Sequence, residues 1–467
     1  MRLNRRGFVT GGLASLTLCS NRPVFAAGAD RVLQLVAKPG RQALMGDAET
    51  ATAIWGYDGS VPGPLIRARQ GERIRVRLKN QLAQPTSIHW HGIRIANAMD
   101  GVVGLTQDAV EPGESFDYDF VAPDAGTYWY HTHNRAWEQL ARGLYGALIV
   151  DEAEIPDFDR DIVFILDDWR LNEDGAIDEA SFGAMHDLSH AGRLGNWLTV
   201  NARSDPEFQL VSGDLVRLRV MNAANARVLN IRFNDIAPMV IALDGHALAP
   251  RPLGEVLRIA PGQRVDLSFR VEAGAGAVLP VSEISHRDPL DFATFKVAAA
   301  PGDALRPRHD FPALAPTRNP EPDLANAERH VLLMEGGAMG GMRGAILEGR
   351  PQSMRALVEA GRAWAFNGIA GDMTDAFFAV ERGKTVIIEM VNDTSFPHAM
   401  HLHGHHFRAL EKNGAPVSGD WRDTELVEAG DKLAVAFVAD NPGKWYFHCH
   451  MMEHQMSGMR TWIDVRG

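Results

Sequence analysis

The sequence predicts an all-β protein built as three β-sandwich domains in tandem, and three observations carry that prediction. One pattern occurs three times: a glycine-led turn and a hydrophobic strand, then a second proline or glycine turn and another strand. It reads Q-G-E-R-I-R-V-R-L-K-N at Gly71 with E-P-G-E-S-F-D-Y-D-F at Gly113, and S-G-D-L-V-R-L-R-V-M-N at Gly213 with A-P-G-Q-R-V-D-L-S-F at Gly262. The third copy is R-G-K-T-V-I-I-E-M-V-N at Gly383 with E-A-G-D-K-L-A-V-A-F at Gly430. Helical patterning is scarce, with the best candidates around Ala136 to Gly143 and Met354 to Gly361. The length of 467 residues, with 45% hydrophobic and 23% charged residues, is ordinary globular composition with room for several cores.

In chain order, residues 1–26 read as an export leader. M-R-L-N-R-R-G-F-V-T carries the twin arginines Arg5 and Arg6 ahead of a short apolar run from Gly11 to Cys19, and Val24-Phe25-Ala26 offers a small-residue cleavage site. This resembles a twin-arginine signal, which implies the twin-arginine translocase as a partner and a periplasmic destination. The apolar run is too short to cross a membrane, and no later segment approaches the roughly 20 apolar residues of a span. The first domain is placed at 27–155, ending in the acidic stretch after G-A-L-I-V, and the second at 156–300. The proline-rich run 301–322 reads as a linker before the third domain, 323–467.

The net charge of −12 becomes more negative once the leader's arginines are removed, which argues against nucleic acid as a partner. Of the 2 cysteines, Cys19 lies in the leader, so Cys449 has no partner for an internal disulfide. It is either a free thiol or a metal thiolate, and its neighbours favour the metal.

Those neighbours are F-P-H-A-M-H-L-H-G, with His398, His401 and His403, and H-C-H-M-M-E-H-Q-M-S-G-M, with His448, Cys449, His450, His454 and Met459. On a strand, side chains alternate faces, so His448 and His450 point one way and Cys449 the other. Cys449 with His398, His454 and Met459 is the thiolate, two imidazoles and weak thioether of a blue-copper electron-transfer centre. The flanking imidazoles need further ligands, and the first repeat supplies them in S-I-H-W-H-G, with His89 and His91, and G-T-Y-W-Y-H-T-H, with His131 and His133. An isolated His-x-His pair is more often a buried, hydrogen-bonded pair than a ligand set. Four pairs at equivalent points of two repeats, beside a blue-copper set, make coincidence very improbable. At the same points the second repeat has N-I-R-F and A-V-L-P-V, which carry no ligand, so it reads as a spacer.

These motifs resemble the multicopper oxidases, specifically the three-domain bacterial laccase-like branch, over essentially the whole mature chain. The resemblance implies cupredoxin-like Greek-key sandwiches and four coppers per chain: one type 1, one type 2 and two type 3. By position, His398, Cys449, His454 and Met459 match the type 1 ligands, and His89 and His401 the type 2 pair. His91, His131 and His450 match one type 3 copper; His133, His403 and His448 match the other. The implied activity is one-electron oxidation of a reducing substrate at the type 1 copper and four-electron reduction of O₂ to water at the other three. Phenols, aromatic amines or a metal ion would be the reductant. The alternatives are a metal oxidase acting on Mn(II) or Cu(I), and a copper-free structural relative, which predicts eroded ligands that this chain does not have.

Reduction of O₂ consumes protons, and Asp100, in M-D-G, matches a family acid beside the cluster; the commoner fate of an Asp-Gly pair is a turn. Bacterial relatives often place Glu directly after the last type 1 histidine, where this chain has neutral Gln455; Glu453 is close by. His405 shares strand parity with His401 and His403, so a supporting hydrogen bond is expected. His406, His186, His190, His246, His286, His309 and His330 lack ligand spacing and read as surface or satisfied polar residues. Met334, Met339 and Met342 form a short glycine-rich cluster that suits Cu(I), although a flexible loop is the blander reading. Copper-efflux relatives place Asp and Met where Thr394 and Phe396 stand here, which favours organic reductants. Mn(II) is second choice, with Asp393, Asp423 and Glu453 as oxygen donors.

Overall fold

The computed structural model describes residues 24–26, 31–46, 51–299 and 311–467. The twin-arginine run and residues 301–310 of the proline-rich run, including His309, lie outside the described residues. Residues 311–322 form neither helix nor strand.

Each repeat builds the same three-stranded centre, with the repeated strand in the middle. Arg73–Asn80 lies parallel to Val32–Gln42 and antiparallel to Ser115–Val121. Leu215–Asn222 lies in the same way between Arg160–Trp169 and Arg264–Arg270, and Thr385–Asn392 between Glu328–Gly336 and Lys432–Val438. A second sheet faces each of these, so three consecutive stretches of chain each contribute a pair of sheets. Alternation explains the strands: Ile74, Val76 and Leu78 are buried while Arg73 and Arg77 face outward onto Asp119 and Asp117.

All three repeated strands end in asparagine, and each asparagine turns the chain. The amide Nδ2 of Asn80 donates to Gln84 and Val110 carbonyls, that of Asn222 to Arg227 and Ile259, and that of Asn392 to Phe396, Val427 and Glu428. Each Oδ1 accepts the N–H two residues on, from Leu82, Ala224 and Thr394. The loop is thereby closed on itself before the next strand begins. In the first and third repeats that next strand carries the first His-x-His.

Helices are short: α1 (Ala136–Gln139), α2 (Met185–Ser189), α3 (Met354–Glu359) and α4 (Met452–Met456). α1 and α3 fall where helical patterning was strongest. α2 and α4, of five residues each, are below the length at which periodicity is legible.

One apolar cluster runs through the first and third repeats, from Leu33 to Val150 and from Leu332 to Val465, and includes Trp90, Met400 and Cys449. The second repeat has its own core around Leu218, Ile231 and Phe295. The chain's two ends therefore meet directly. No helix among the described residues is long and apolar enough to cross a membrane.

Candidate metal centre

Cys449 ends the strand Gly443–Cys449, which pairs with His398–Leu402 in the register Met400 opposite Cys449 and His401 opposite His448. That register brings His398 to the Cys449 side of the sheet, and α4 returns His454 to the same place. Cys449 Sγ lies 3.7 Å from His398 Nδ1 and 3.8 Å from His454 Nδ1, and the two Nδ1 atoms are 3.0 Å apart. The outer nitrogens are held: His398 Nε2 is 2.9 Å from Thr394 Oγ1, and His454 Nε2 donates to the His190 carbonyl at 2.6 Å. With the far nitrogen bonded, the near one presents its lone pair inward. Met459 is buried, and its carbonyl accepts the Cys449 N–H at 3.0 Å. Burial pushes the Cys449 thiol up to about 12 and holds His454 down at about 4, so without a cation the site favours neutral groups.

On the other side of the same strand, the four His-x-His pairs converge. The strand His89–His91 pairs with Gly126–His131, with His89 opposite His131, which puts both first-repeat pairs on one face. Ring centroids of His91 and His450 are 5.0 Å apart, those of His131 and His450 5.3 Å, and those of His133 and His448 5.3 Å. His403 and His448 bring their Nε2 atoms to 3.2 Å, and the His89 and His401 centroids lie 5.7 Å apart.

One nitrogen on most of these rings is anchored to oxygen. His89, His131, His401 and His448 each place Nδ1 on a backbone carbonyl, of Asp100, Thr132, Asp423 and Cys449, at 2.8 to 2.9 Å. The inward nitrogens have no partner: Nε2 of His89, His131, His133 and His401, Nδ1 of His91, and both nitrogens of His450 are buried and unbonded. A buried polar atom without a partner costs roughly 1–3 kcal/mol, so a converging set of them calls for a cation. Burial, followed by the neighbouring imidazoles, keeps His131, His133, His403, His448 and His450 well below the ordinary histidine range, in the neutral form that copper requires. The donor sets fit copper in both places.

Asp100 is fully buried, and its carboxylate approaches His403 Nδ1 at 3.0 and 3.2 Å and His89 Nδ1 at 3.2 Å. It also sits at a turn: Gly101 has φ +83°, and a Cβ there would collide with the Ile88 carbonyl. The turn is what presses the carboxylate against the histidines. Asp423 is the residue that sequence reasoning misplaced. It is buried rather than available to Mn(II), bonds His91 Nε2 at 3.1 Å, and accepts both terminal nitrogens of Arg264 at 2.8 and 2.6 Å. Glu453 is buried too, accepting from Asn225 Nδ2 at 2.9 Å, and so faces the second repeat. Of the three acids, only Asp393 is exposed. Gln455 instead lines a cavity of about 380 Å³ with His133, Tyr446 and Arg460.

The second repeat is more than a spacer, because Arg264, Asn225 and the His190 carbonyl all come from it. His405 accepts from the Asn441 N–H at 3.3 Å and packs on Trp445. His246 and His406 pack together, bonded to Thr317 and the Gly92 carbonyl. Trp129 packs on His131 and His450, and Tyr446 on His448. Met334 is buried in the core and Met342 packs beside Leu357, so of the methionine cluster only Met339 stands exposed, at 81%.

Three multicopper oxidase family models match residues 41–155, 160–276 and 349–467. A multicopper oxidase from Mycobacterium tuberculosis is 29% identical, covering 99% of this chain and 97% of that protein. The crystal structure of a Pseudomonas thermotolerans multicopper oxidase superposes with a TM-score of 0.81 at 34% identity, over 95% of this chain and 100% of that one. Lac15, from a marine microbial metagenome, superposes at 0.74 with 37% identity, over 93% and 100%. With thiolate, imidazole and orphaned ring nitrogens gathered as that chemistry needs, the chain belongs to the multicopper oxidases, as a laccase-like, copper-dependent oxidoreductase of three cupredoxin-like sandwiches.

Proposed function

We propose that this oxidase holds four coppers, with His398, Cys449, His454 and Met459 at type 1 and His89 and His401 at type 2. His91, His131 and His450 hold one type 3 ion, and His133, His403 and His448 the other. Bound at these residues, copper would supply one-electron oxidation of a reductant at the Cys449 site and, with four electrons and four protons, reduction of O₂ to two waters at the histidine cluster. The observation that carries this reading is that one strand serves both sites: Cys449 faces one and His448 and His450 the other. His448 Nδ1 also donates to the Cys449 carbonyl at 2.8 Å, so a covalent path and a hydrogen bond link the two.

Asp100 holds a proton-accepting carboxylate at His403 Nδ1 and His89 Nδ1, which suits it to pass protons into the cluster. Gln455 cannot replace it, since an amide does not titrate. Thr394 Oγ1 orients His398 where a Cu(I)-specific site would need a carboxylate, and this supports phenols or aromatic amines as reductants. Only Asp393 remains to offer Mn(II) an exposed oxygen, which weakens that alternative. The intact ring sets oppose a copper-free structural role.

The twin arginines support export to the periplasm, with sandwich domains at 27–155, 156–300 and 323–467. A mature chain beginning at Ala27 gives up the short strand Val24–Ala26 that pairs with Leu65–Arg69.

The test is Cys449→Ser. The variant should fold, lose its visible blue absorption and lose oxidation of a methoxyphenol, while keeping copper at the histidine cluster. Substantial residual oxidation with copper bound would sink the assignment.

A further inference from the structure

The cavity of about 380 Å³ that Gln455 lines opens at the seam between the first and third repeats. Tyr446 forms part of its wall, and the tyrosine ring lies 5.2 Å from that of His133, 5.5 Å from His403 and 4.8 Å from His448. His133 lines the cavity as well, so whatever fills this space stands in front of one of the type 3 ring sets. None of the ligands at the Cys449 site lines it. Val102, Leu105, Trp137 and Met373 supply apolar walls.

The polar side carries positive charge and no acid. The lining guanidiniums are those of Arg135 and Arg460, and no lining residue is a carboxylate. Arg135 is neutralised by Glu138 at 2.8 Å. Arg460 is not: its Nε donates to the Gly371 carbonyl at 3.2 Å, and among the described residues no carboxylate pairs with it. Arg362 stands close by, with Nη1 on the carbonyl of Met456, another lining residue, at 2.6 Å. Its Nε is buried and unbonded, and no carboxylate among the described residues pairs with it either. Burial, and then the charge of Arg460, hold Arg362 below the ordinary arginine range, so the two cations repel one another. Interior arginines elsewhere in the fold are compensated: Arg217, Arg219, Arg227 and Arg264 each meet a carboxylate at 2.6 to 2.8 Å. Gln455, 7% exposed, faces the same space, and its amide is matched only to the Tyr446 hydroxyl. Partly desolvated cations without a counter-ion are costly, and a bound anion removes that cost.

We infer that this cavity binds a small organic carboxylate, with Arg460 as the charged donor, Gln455 as a neutral donor and the apolar walls around the hydrocarbon end. A carboxylate seated there closes the space in front of His133 and leaves the Cys449 site free. Its effect falls on the O₂ half of the reaction: reoxidation slows while oxidation of the reductant does not. That kinetic consequence rests on the oxidase reading above; the binding itself does not.

Benzoate is the probe, since it has a carboxylate and an apolar ring but no phenolic hydroxyl to oxidise. Titrated calorimetrically into the copper-loaded enzyme, it should bind the native protein about tenfold or more tightly than Arg460→Leu or Gln455→Glu, the second because its carboxylate pairs with Arg460 from within. Arg460→Lys, which keeps the charge, should fall between. In stopped flow, saturating benzoate should slow reoxidation of the reduced enzyme by O₂ and leave anaerobic bleaching of the blue band by a methoxyphenol unchanged. Gln455→Glu should lose that sensitivity. If Arg460→Leu fails to fold, Gln455→Glu decides the matter alone. No saturable binding to the native protein would overturn the proposal. So would equal affinity in native and variant proteins, as direct ligation to copper would give, or slowing of the anaerobic bleaching. An enzyme that never reacts with O₂ would count against the oxidase reading, while the benzoate titration would still decide this one.

Discussion

Asp423 and Arg264 meet end to end in the interior, with Nη1 donating to Oδ1 at 2.8 Å and Nη2 to Oδ2 at 2.6 Å, both side chains fully buried. Burial pushes the Asp423 carboxyl up, but Arg264, followed by His91, outweighs it and holds the group well below the ordinary carboxylate range. The ionised carboxylate in turn fixes His91 through Nε2, leaving Nδ1 to face the cluster.

Asp423→Asn should therefore lower copper retention at the histidine cluster while the blue type 1 band persists. It should also destabilise the fold by roughly 3–5 kcal/mol, the usual cost of stranding one member of a buried ion pair. Copper analysis with electron paramagnetic resonance checks this, and a full complement of copper would refute it.

Asp100→Asn separates proton delivery from ligation. Reoxidation of the fully reduced enzyme by O₂ should slow, by an amount typical of losing a general acid, about 10²-fold or more. Reduction of the type 1 site by substrate should stay nearly as it was. Stopped-flow traces that slow equally in both half-reactions would point to the turn at Gly101 instead.

Met459→Leu removes a buried thioether whose carbonyl holds the Cys449 N–H. A weak sulfur donor stabilises the oxidised ion relative to a hydrocarbon, so the type 1 reduction potential should rise. A redox titration with no change, or a fall, would turn attention to Met456.

Asp161 joins the first and second repeats, accepting from Arg67 at 2.7 Å and from Arg219 at 2.7 and 3.1 Å. Burial pushes its carboxyl up, yet Arg219 and then Arg67 prevail and lower it from 3.8 to about 2. A lowered carboxyl stabilises the fold above its unfolded value and loses that contribution as pH falls through the folded one. The contribution is about 2 kcal/mol at neutral pH. Asp161→Asn should lower the urea midpoint at pH 7 and flatten the stability profile between about pH 4 and 2. An unchanged midpoint at pH 7 would show the clamp to be energetically silent.

The sequence by itself determined the sandwiches and the histidine and cysteine motifs that converge in them, because both are local, period-two properties of a strand. Alternation in R-I-R-V-R-L and in H-C-H needs no knowledge of distant neighbours, and the three asparagines that close the loops after the repeated strands act within their own repeat. What lies on the far side of a strand is not local. Arg73 and Arg77 face solvent, whereas Arg217 and Arg219, at the same alternation, are buried against Asp266, because the first repeat covers that face of the second. Only the tertiary structure decided that Asp423 is buried against Arg264 and that Glu453 turns to Asn225. It alone decided, too, that the repeat without ligands covers His454 with the carbonyl of His190. These contacts join residues 159, 228 and 264 positions apart, and they exist only because the packed sheets desolvate those groups and leave each a single partner.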